Sequence, residues 1–458
     1  MNTFERARNR LFWIADYLNG SNIIKHYNDI KSLLENPESQ DSQFRSESYI
    51  SRIIKHATET TAFYSSYKDA KSISDFPVIN KTIIKNNKAE LISSSYDVNK
   101  LFKVKTSGST GAPLEIYQDK IKRTRHQAEN IYFSQAAGYL IGTRLYYLRV
   151  WNEINRKSIR QRWQQNIVMV DASNLSDNKI LSFLERLKVD KSTKTLLAFS
   201  STFEALSHFL TKHPLSLPSD VNSIITISET LPDAAKLILR KAFSCPVISR
   251  YSNMENGFLA QQCIEENNEY HLNEASYYFE ILHPERDERV ENGIPGRVVV
   301  TDLFNFGMPL IRYDTGDIAI MSEKSICGRK GKVFTRVEGR KVDFVLDTRG
   351  NLLSPHVVTN TMWKYSSEIK QFQFIQNNRN DYLIKLNCKK DKFIKELELL
   401  ADLKRYLGTD AFIQVEYVDE IPILASGKRR KIVNNFTQTK STGDNLLFLG
   451  NSDLEQLR

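Results

Sequence analysis

The chain has little cysteine and no long apolar segment. Its four cysteines are widely separated and form no Cys-x-x-Cys pair, which favours reduced thiols over a disulfide framework. No run approaches the ~20 apolar residues that a membrane-spanning helix needs. Charged residues interrupt the apolar positions of residues 1–20, so they do not form the apolar core of a signal peptide. These absences predict a cytoplasmic protein.

The positive charge of the chain is modest. The 458 residues include 64 Lys and Arg and 54 Asp and Glu, which gives a net charge of +10. Such a surplus suits anionic small molecules as well as nucleic acid. The sequence has no stripe of basic residues interleaved with aromatics, so we expect no nucleic-acid partner. A hydrophobic content of 41% is that of a globular chain, and the length suggests roughly two or three domains.

Strand-like and helical segments alternate in the middle of the chain, which predicts a parallel sheet in an α/β fold. The predicted strands are 195–201, 221–228 and 246–252. Pro232 suits the first turn of a helix over 233–243. From Tyr277 onward the strands become short, among them 277–282 and 311–313, and predict a mostly antiparallel unit.

These patterns divide the chain into three predicted regions. A large N-terminal domain, 1–340, begins with a helical lead-in over 1–100 and contains parallel α/β sheets plus the antiparallel unit at 277–338. A small α+β domain follows at 341–435. The polar residues 436–458 form a tail.

Polar clusters follow two of the predicted parallel strands. Ser228-Glu229-Thr230 comes after one strand, and the tract from Tyr251 to Glu255 comes after the next. Ligands of parallel sheets bind beyond the carboxyl ends of the strands. We therefore expect the two clusters to form one site.

Two further segments have the composition of nucleotide-binding turns. In the segment 105–113, two glycines bracket hydroxyl side chains, so backbone N–H groups and hydroxyls can surround phosphate oxygens. No Gly-Lys-Ser/Thr follows, so this is not a Walker A loop. In the segment 309–317, Asp317 follows a glycine turn, where a carboxylate can accept both hydroxyls of a ribose. A plain surface turn is the alternative for each segment.

The order of these motifs resembles that of a known superfamily. The loop 106–113 precedes the tracts 251–257 and 312–317, and Gly339-Arg340 and Ser426-Gly427-Lys428 then follow. This series is similar to that of the adenylate-forming superfamily of acyl-CoA synthetases, amino-acid-activating modules and luciferase-like enzymes. Within this superfamily, the segments 53–84 and 296–303 most resemble phenylacetate–CoA ligases and the CapK-type proteins of capsular-polysaccharide loci.

The resemblance implies a binding site for ATP and Mg²⁺, and makes 1–340 an adenylation domain and 341–435 a small mobile domain on a hinge at 339–343. The nucleotide-binding residues would be Thr106, Ser107, Gly108, Ser109, Thr110 and Gly111 at the phosphates, Ser228, Glu229, Thr230, Tyr251, Ser252 and Asn253 at the adenine side, and Asp317 and Arg340 at the ribose or phosphate. Glu255 would bind Mg²⁺ through its carboxylate. Lys428 would lie between the carboxylate substrate and the α-phosphate, and the catalytic residues would be Lys428, Glu255 and Arg340.

Four positions depart from the superfamily pattern. Ser228 and Ser252 replace glycines, and Met254 lacks a phosphate-binding hydroxyl. Val342 stands where an acidic hinge residue is expected. These changes either tune the site or mark an inactive one.

A structural zinc is not expected. The family resemblance implies structural zinc in some relatives around the segments of Cys263, His271 and Cys327, but Ser325 stands where a second cysteine would complete the four ligands. We therefore favour the interpretation that these three residues bind no metal.

The implied activity is an AMP-forming ligase with three alternatives for its second step. A carboxylate attacks the α-phosphate of ATP and forms an acyl-adenylate and pyrophosphate. The acyl group then passes to coenzyme A, or to an amine or hydroxyl of a sugar or other metabolite as the CapK-like context suggests. The third alternative is a catalytically silent binding protein that retains the fold. The acid itself is not specified, although aromatic residues near Trp151 and 199–203 suit an aryl or short acyl group.

Overall fold

The architecture comes from a computed structural model. It describes residues 1–105, 114–151, 153, 155–173, 175–215, 217, 220–264, 268–340, 344–353, 355–366, 368–389, 391, 393–422 and 430–436. Several predicted features lie outside the described residues: the loop 106–113, Val342 and Lys428.

Helices dominate the first hundred residues. Their bounds are α1 Thr3–Leu18, α2 Asn22–Glu35, α3 Gln40–Thr60, α4 Lys81–Asn86 and α5 Lys88–Leu91. The Asn80 side chain accepts hydrogen bonds from the amides of Thr82 and Ile83, so it begins α4 and sets Lys81 in the first turn. No helix among the described residues combines the length and apolar character needed to cross a bilayer.

A hairpin and a long helix precede the main sheet. Strands β1 Phe102–Lys105 and β2 Glu115–Gln118 pair antiparallel, so the segment 106–113 connects the two strands of a hairpin. Helix α6, Lys120–Ala136, follows at once. Asp119 is its N-cap and accepts a hydrogen bond from the Lys122 amide.

The predicted alternation of strands and helices is confirmed. The elements are β3 Arg144–Arg149, α7 Ile159–Gln165, β4 Ile167–Asp171, α8 Asp177–Val189, β5 Lys194–Phe199, α9 Ser200–Lys212, β6 Val221–Ile227, α10 Asp233–Phe243 and β7 Val247–Asn253. These five strands pair in parallel in the order β4-β3-β5-β6-β7. Buried faces of α8, α9 and α10 pack with strand residues in one apolar core, which supplies most of the driving force for this layer.

Antiparallel strands extend the same sheet. They are β8 Gly257–Gln262, β9 Tyr270–Leu272, β10 Tyr277–Leu282, β11 Pro295–Asp302, β12 Tyr313–Ser322 and β13 Val333–Arg340. The order β7-β8-β9-β13-β12-β11-β10 makes one continuous sheet of eleven strands. The antiparallel region therefore begins at β8, before the predicted start at residue 277. The strand predicted at 311–313 is wrong at its start, because Arg312 has a left-handed φ of +52° and β12 begins at Tyr313.

The C-terminal region, from residue 344 to residue 436, has its own sheet and core. Its elements are β14 Val345–Leu346, β15 Leu352–Leu353, α11 Pro355–Trp363, β16 Gln371–Gln376, β17 Asp381–Asn387, α12 Glu396–Leu407, β18 Phe412–Tyr417 and β19 Ile432–Asn434. The order β18-β17-β16-β19 contains parallel and antiparallel pairs, as an α+β unit does. A separate apolar cluster fills it, with Phe374, Ile384 and Leu399 fully buried.

Candidate active site

The carboxyl ends of three neighbouring parallel strands meet at one edge of the large sheet. Ser200 begins α9 directly after β5, the tract 228–230 follows β6, and Tyr251 lies near the end of β7. The Ser200 hydroxyl donates to the carbonyl oxygen of Glu229 at 2.5 Å and so ties the loops after β5 and β6 together. The two polar clusters predicted to share a site therefore do lie on adjacent strand ends.

Ser228 occupies a backbone conformation that favours glycine. Its φ is +73°, in the left-handed region that costs an L-residue roughly 1–2 kcal/mol. The sequence comparison with the superfamily predicted a glycine at this position, and the turn after β6 retains the geometry that glycine would adopt. Ser228 and Thr230 are exposed and Glu229 is half-buried, so the turn is open to a ligand.

Tyr251 and Asp317, from motifs 66 residues apart, are in direct contact. The Tyr251 hydroxyl donates to Asp317 Oδ2 at 2.6 Å and lies 3.4 Å from the Thr315 hydroxyl. Burial, followed by the negative charge of Asp317, raises the pKa of Tyr251 well above its usual value, so the phenol stays protonated. The predicted adenine-side tyrosine and the predicted ribose carboxylate therefore belong to one cluster.

Arg340 lies beside this cluster by strand register. Asp317 on β12 and Arg340 on β13 are directly opposed Cα partners. Gly339, which precedes Arg340, has a φ of +98°. The register thus brings together the two residues predicted to contact ribose or phosphate.

Glu255 is a buried carboxylate with two partners. Only 3% of the residue is exposed. The Tyr313 hydroxyl donates to its Oε1 at 2.9 Å, and Lys81 Nζ lies 3.1 Å from the same oxygen. Burial, together with Glu255, raises the pKa of Tyr313 well above its usual value, so Tyr313 acts as a donor. A carboxylate fixed in this way suits a hard cation such as Mg²⁺, for which Lys81 would have to give way.

The residues between Tyr251 and Glu255 shape a tight turn. The Asn253 side chain accepts a hydrogen bond from the Asn256 amide at 2.7 Å and contacts the Asn256 side chain. Asn256 in turn accepts at its carbonyl from the Tyr277 hydroxyl at 2.6 Å. Ser252 and Met254 are exposed. The Asn253 and Asn256 contacts hold the turn in which Glu255 lies.

The hairpin of β1 and β2 lies next to Glu255. Gln118, at the end of β2, donates to the Glu255 carbonyl oxygen at 3.4 Å. Because the segment 106–113 joins β1 to β2, this contact ties the hairpin that carries the segment to the turn that carries Glu255. Thr106, Ser107, Gly108, Ser109, Thr110, Gly111 and Lys428 themselves are outside the described residues, as is the side chain of Arg340.

Arg312 belongs to the Asp317 motif but serves the fold. Its guanidinium lies 3.0 and 3.2 Å from the two carboxylate oxygens of buried Glu280 and donates to the Phe76 carbonyl oxygen at 2.8 Å. This network joins the entry of β12 to β10 and to the N-terminal region.

Cys263, His271 and Cys327, which the sequence analysis considered together as a zinc set without a fourth ligand, lie close to one another. Their ligand atoms all lie within 4.8 Å of one another. Cys327 Sγ is 3.2 Å from His271 Nε2, and the Ser325 hydroxyl is 3.1 Å from the same sulfur and donates to Glu269 at 2.6 Å. Three Cys and His ligands with a serine at the fourth corner are an incomplete set for structural zinc. The expectation of no zinc stays a prediction.

Sequence reasoning missed three residues of this edge. Lys81 and Tyr313 bind Glu255, and Ser200 fixes the Glu229 loop. Tyr313 lies within the quoted motif and was available as a candidate. Lys81 lies within the segment 53–84 that carries the resemblance, but it is 174 positions from Glu255, and no periodicity or spacing links the two.

Comparison with known proteins places these features in context. Residues 345–435 match the family model of the CapK C-terminal domain. Over 376 residues the chain is 23% identical to protein CapK of Staphylococcus aureus, with 80% of each chain covered. It is also 25% identical over 191 residues to a phenylacetate-coenzyme A ligase of Aromatoleum evansii, covering 38% of this chain and 42% of that ligase.

Solved structures share the fold. A 2-hydroxyisobutyryl-CoA ligase in the postadenylation state, in complex with R3-HIB-AMP, matches with a TM-score of 0.68 at 16% identity over 88% of this chain and 91% of that one. The same ligase in the thioesterification state, with 2-HIB-AMP and CoA, gives 0.57 at 15% identity over 93% and 94%. The chain thus has the predicted α/β fold, which it shares with these CoA ligases.

Proposed function

We propose that this chain, a relative of CapK and of the phenylacetate-CoA ligases with the adenylate-forming fold, activates a carboxylate with ATP. A carboxylate oxygen would attack the α-phosphate, the bond to pyrophosphate would break, and an acyl-adenylate would form. The observation that supports this most directly is the meeting of three distant motifs at one sheet edge. Glu255, the Tyr251–Asp317 pair and the turn 228–230 all lie there.

Each motif has a proposed role in the first step. Thr106 to Gly111 would hold the phosphates, and Ser228, Glu229, Thr230 and Tyr251 would line the adenine, with Ser252 and Asn253 shaping its edge. Asp317 would accept the ribose hydroxyls, and Arg340 would contact ribose or phosphate. Lys428 would offset the charge that develops between the carboxylate and the phosphorus.

Glu255 is the proposed ligand for magnesium. Mg²⁺ supplies positive charge to the phosphates when bound. The Tyr313 hydroxyl orients the Glu255 carboxylate through its 2.9 Å hydrogen bond. Lys81 neutralises the carboxylate in the structure and would move towards solvent, which its 44% side-chain exposure allows.

The proposed acceptor of the second step is coenzyme A. The named relatives include coenzyme A ligases, and the thioesterification structure of one of them contains CoA. ATP and coenzyme A are cytoplasmic metabolites, so we place the reaction in the cytoplasm. Aromatic side chains near the carboxyl end of β3, with Tyr147 and Trp151 rings 5.3 Å apart, offer an apolar wall for an aryl or short acyl group.

A second candidate acceptor is the amine or hydroxyl of a sugar or other metabolite. Protein CapK matches 80% of this chain, whereas the Aromatoleum ligase matches 38%. The extent of the CapK match favours a reaction of CapK-type proteins, which the sequence resemblance associates with surface polysaccharides. The two candidates differ in whether coenzyme A is consumed.

Carboxylate-dependent exchange of labelled pyrophosphate into ATP tests the first step. The assay would use a library of acids that includes phenylacetate. We expect exchange with at least one acid, and its loss in Lys428→Ala and Glu255→Gln. Lys179→Ala and Glu185→Gln, at exposed positions of α8, are matched controls that should retain it. Absence of exchange with measurable ATP binding would favour a silent binding protein, and absence of ATP binding would contradict the proposal.

The acceptor is tested with the acid that supports exchange. Loss of free coenzyme A thiol, together with AMP formation, would identify a coenzyme A ligase. AMP formation that depends on an amino sugar and leaves the thiol intact would favour the second candidate.

A further inference from the structure

An ion pair joins the C-terminal region to helix α9. Lys431 Nζ lies 2.6 Å from each carboxylate oxygen of Glu204. The Glu204 side chain is 13% exposed and that of Lys431 is 27% exposed. A cation between both oxygens of a mostly buried carboxylate has a defined position, unlike the ion pairs of exposed surfaces.

The backbone around Lys431 is anchored in the C-terminal sheet. The Lys431 carbonyl oxygen accepts from the Phe374 amide at 2.8 Å, and that of Arg430 accepts from the Gln373 side chain at 2.7 Å. Lys431 directly precedes β19, which pairs with β16. These hydrogen bonds fix the backbone at Lys431 to strand β16 of the small sheet.

Helix α9 makes a second contact with the C-terminal region. The His208 ring, one helical turn beyond Glu204, stacks on Trp363 at the end of α11, with 4.5 Å between centroids and 25° between planes. Burial lowers the pKa of His208 to about 4, so the stacked ring is neutral. Trp363 also packs against the apolar core of the parallel layer.

Helix α9 also touches the candidate active site. Its first residue, Ser200, donates to the Glu229 carbonyl oxygen in the loop after β6. Burial and the nearby Glu229 charge raise the pKa of Glu204, while Lys431 opposes this rise. A single helix thus contacts the adenine-side loop at its start and the C-terminal region about a turn later.

We infer that the Glu204–Lys431 pair positions the C-terminal region for adenylate formation and breaks when that region turns for acyl transfer. Lys431 lies three residues after Lys428, so a fixed Lys431 limits where Lys428 can be placed. The whole chain, in which the pair is closed, has a TM-score of 0.68 with the postadenylation structure and of 0.57 with the thioesterification structure. This inference rests on the proposed function. Glu204 and Lys431 are positioning residues, because neither is placed at the reacting atoms.

Hydrogen–deuterium exchange tests the contact without requiring activity. The whole chain would be measured with and without ATP and Mg²⁺, as wild type, Glu204→Gln, Lys431→Met and the charge swap Glu204→Lys/Lys431→Glu. Lys385→Met, which removes an ion pair between β17 and β18, is the control. We expect faster exchange in α9 and in residues 430–434 for the single variants, and restored protection in the swap. Unchanged protection in both single variants would overturn the inference.

The two half-reactions give the second readout. Pyrophosphate exchange would be compared with acyl transfer from added acyl-adenylate, using phenylacetate or the acid selected by screening. Misplacement by about 1 Å can cost ~100-fold in rate. We therefore expect pyrophosphate exchange to be roughly tenfold slower in Glu204→Gln, and acyl transfer to be unchanged or faster. Equal losses in both steps would overturn the inference. If the variants lose protection from hydrogen–deuterium exchange but the wild type shows no pyrophosphate exchange, the result would contradict the proposed function and leave the contact established.

Discussion

The Tyr251–Asp317 hydrogen bond is the smallest unit of the proposed nucleotide site. Hydrogen bonds to charged groups contribute about 1.5–3 kcal/mol, which corresponds to about tenfold or more in binding. We therefore expect Asp317→Asn to raise the KM for ATP about tenfold. Tyr251→Phe keeps the ring and removes only the 2.6 Å donor, so its KM should rise less. Steady-state pyrophosphate exchange measures both, with exposed Asp177→Asn as control, and an unchanged KM in Asp317→Asn would contradict the assignment.

Lys81 pairs with Glu255, and its replacement should change the Mg²⁺ requirement of the reaction. Its Nζ lies 3.1 Å from Glu255 Oε1, where the proposed cation would bind. Ion pairs between exposed side chains contribute about 0.2–1 kcal/mol, and the Lys81 side chain is 44% exposed. We expect Lys81→Met to lower the Mg²⁺ concentration for half-maximal exchange roughly twofold to fivefold, because the ammonium no longer competes. Lys85→Met, on the same helix, should leave it unchanged. A higher Mg²⁺ requirement in Lys81→Met would show that Lys81 assists phosphate binding instead.

At the scale of elements, the sequence predicted the ends of those helices and strands that local residues determine. The helix at 233–243 and the strand at 277–282 were predicted to the residue, because a proline at the N-cap and an apolar run mark their ends. The strand at 311–313 was wrong at its start because Arg312, held by Glu280, adopts a left-handed φ that no local pattern reveals. The pairing of β9 with β13 in the same sheet likewise depends on long-range contacts, because His271 lies opposite Val333.

Helix α6 is attached to β11 by a fully buried ion pair. Lys122 Nζ lies 2.6 Å from Asp302 Oδ2, and neither side chain is exposed. Removing one partner of a buried pair costs about 3–5 kcal/mol, because the other charge stays uncompensated. We expect this loss of unfolding free energy in Lys122→Met at neutral pH, and a smaller loss in Lys122→Met/Asp302→Asn. Chemical denaturation measures both.

The stability of Lys122→Met should depend on pH in a direction set by the raised pKa of Asp302. Burial raises the pKa of Asp302 above its usual value, and loss of Lys122 removes the charge that opposes this rise. A carboxyl with a raised folded-state pKa binds its proton more tightly when folded, so its stability contribution is lost as pH rises. The difference between Lys122→Met and wild type should therefore shrink as the pH falls from neutral. A difference that grows on acidification would contradict the assignment.

At the scale of the whole molecule, short motifs singled out Tyr251 and Asp317, and the structure brings the two into contact. Their roles in nucleotide binding stay predictions. The partners of Glu255 and the Glu204–Lys431 pair join residues that are far apart in the chain, so only tertiary packing brings them together. The boundary at residue 340 stays a prediction. Separate apolar cores on either side of it support two units.

Gly339 provides the test of movement between those units. Its φ is +98°, and among the described residues no atom lies within 4 Å of a Cβ placed there; the same holds for Gly293, whose φ is +85°. Alanine at either position should cost a similar ~1–2 kcal/mol of stability, because an L-residue disfavours that conformation. Only at Gly339 would a restricted backbone hinder a hinge. We expect Gly339→Ala to slow acyl transfer more than adenylate formation, and Gly293→Ala to slow neither. Single-turnover measurement of both steps checks this, and equal behaviour of the two variants would place the hinge elsewhere.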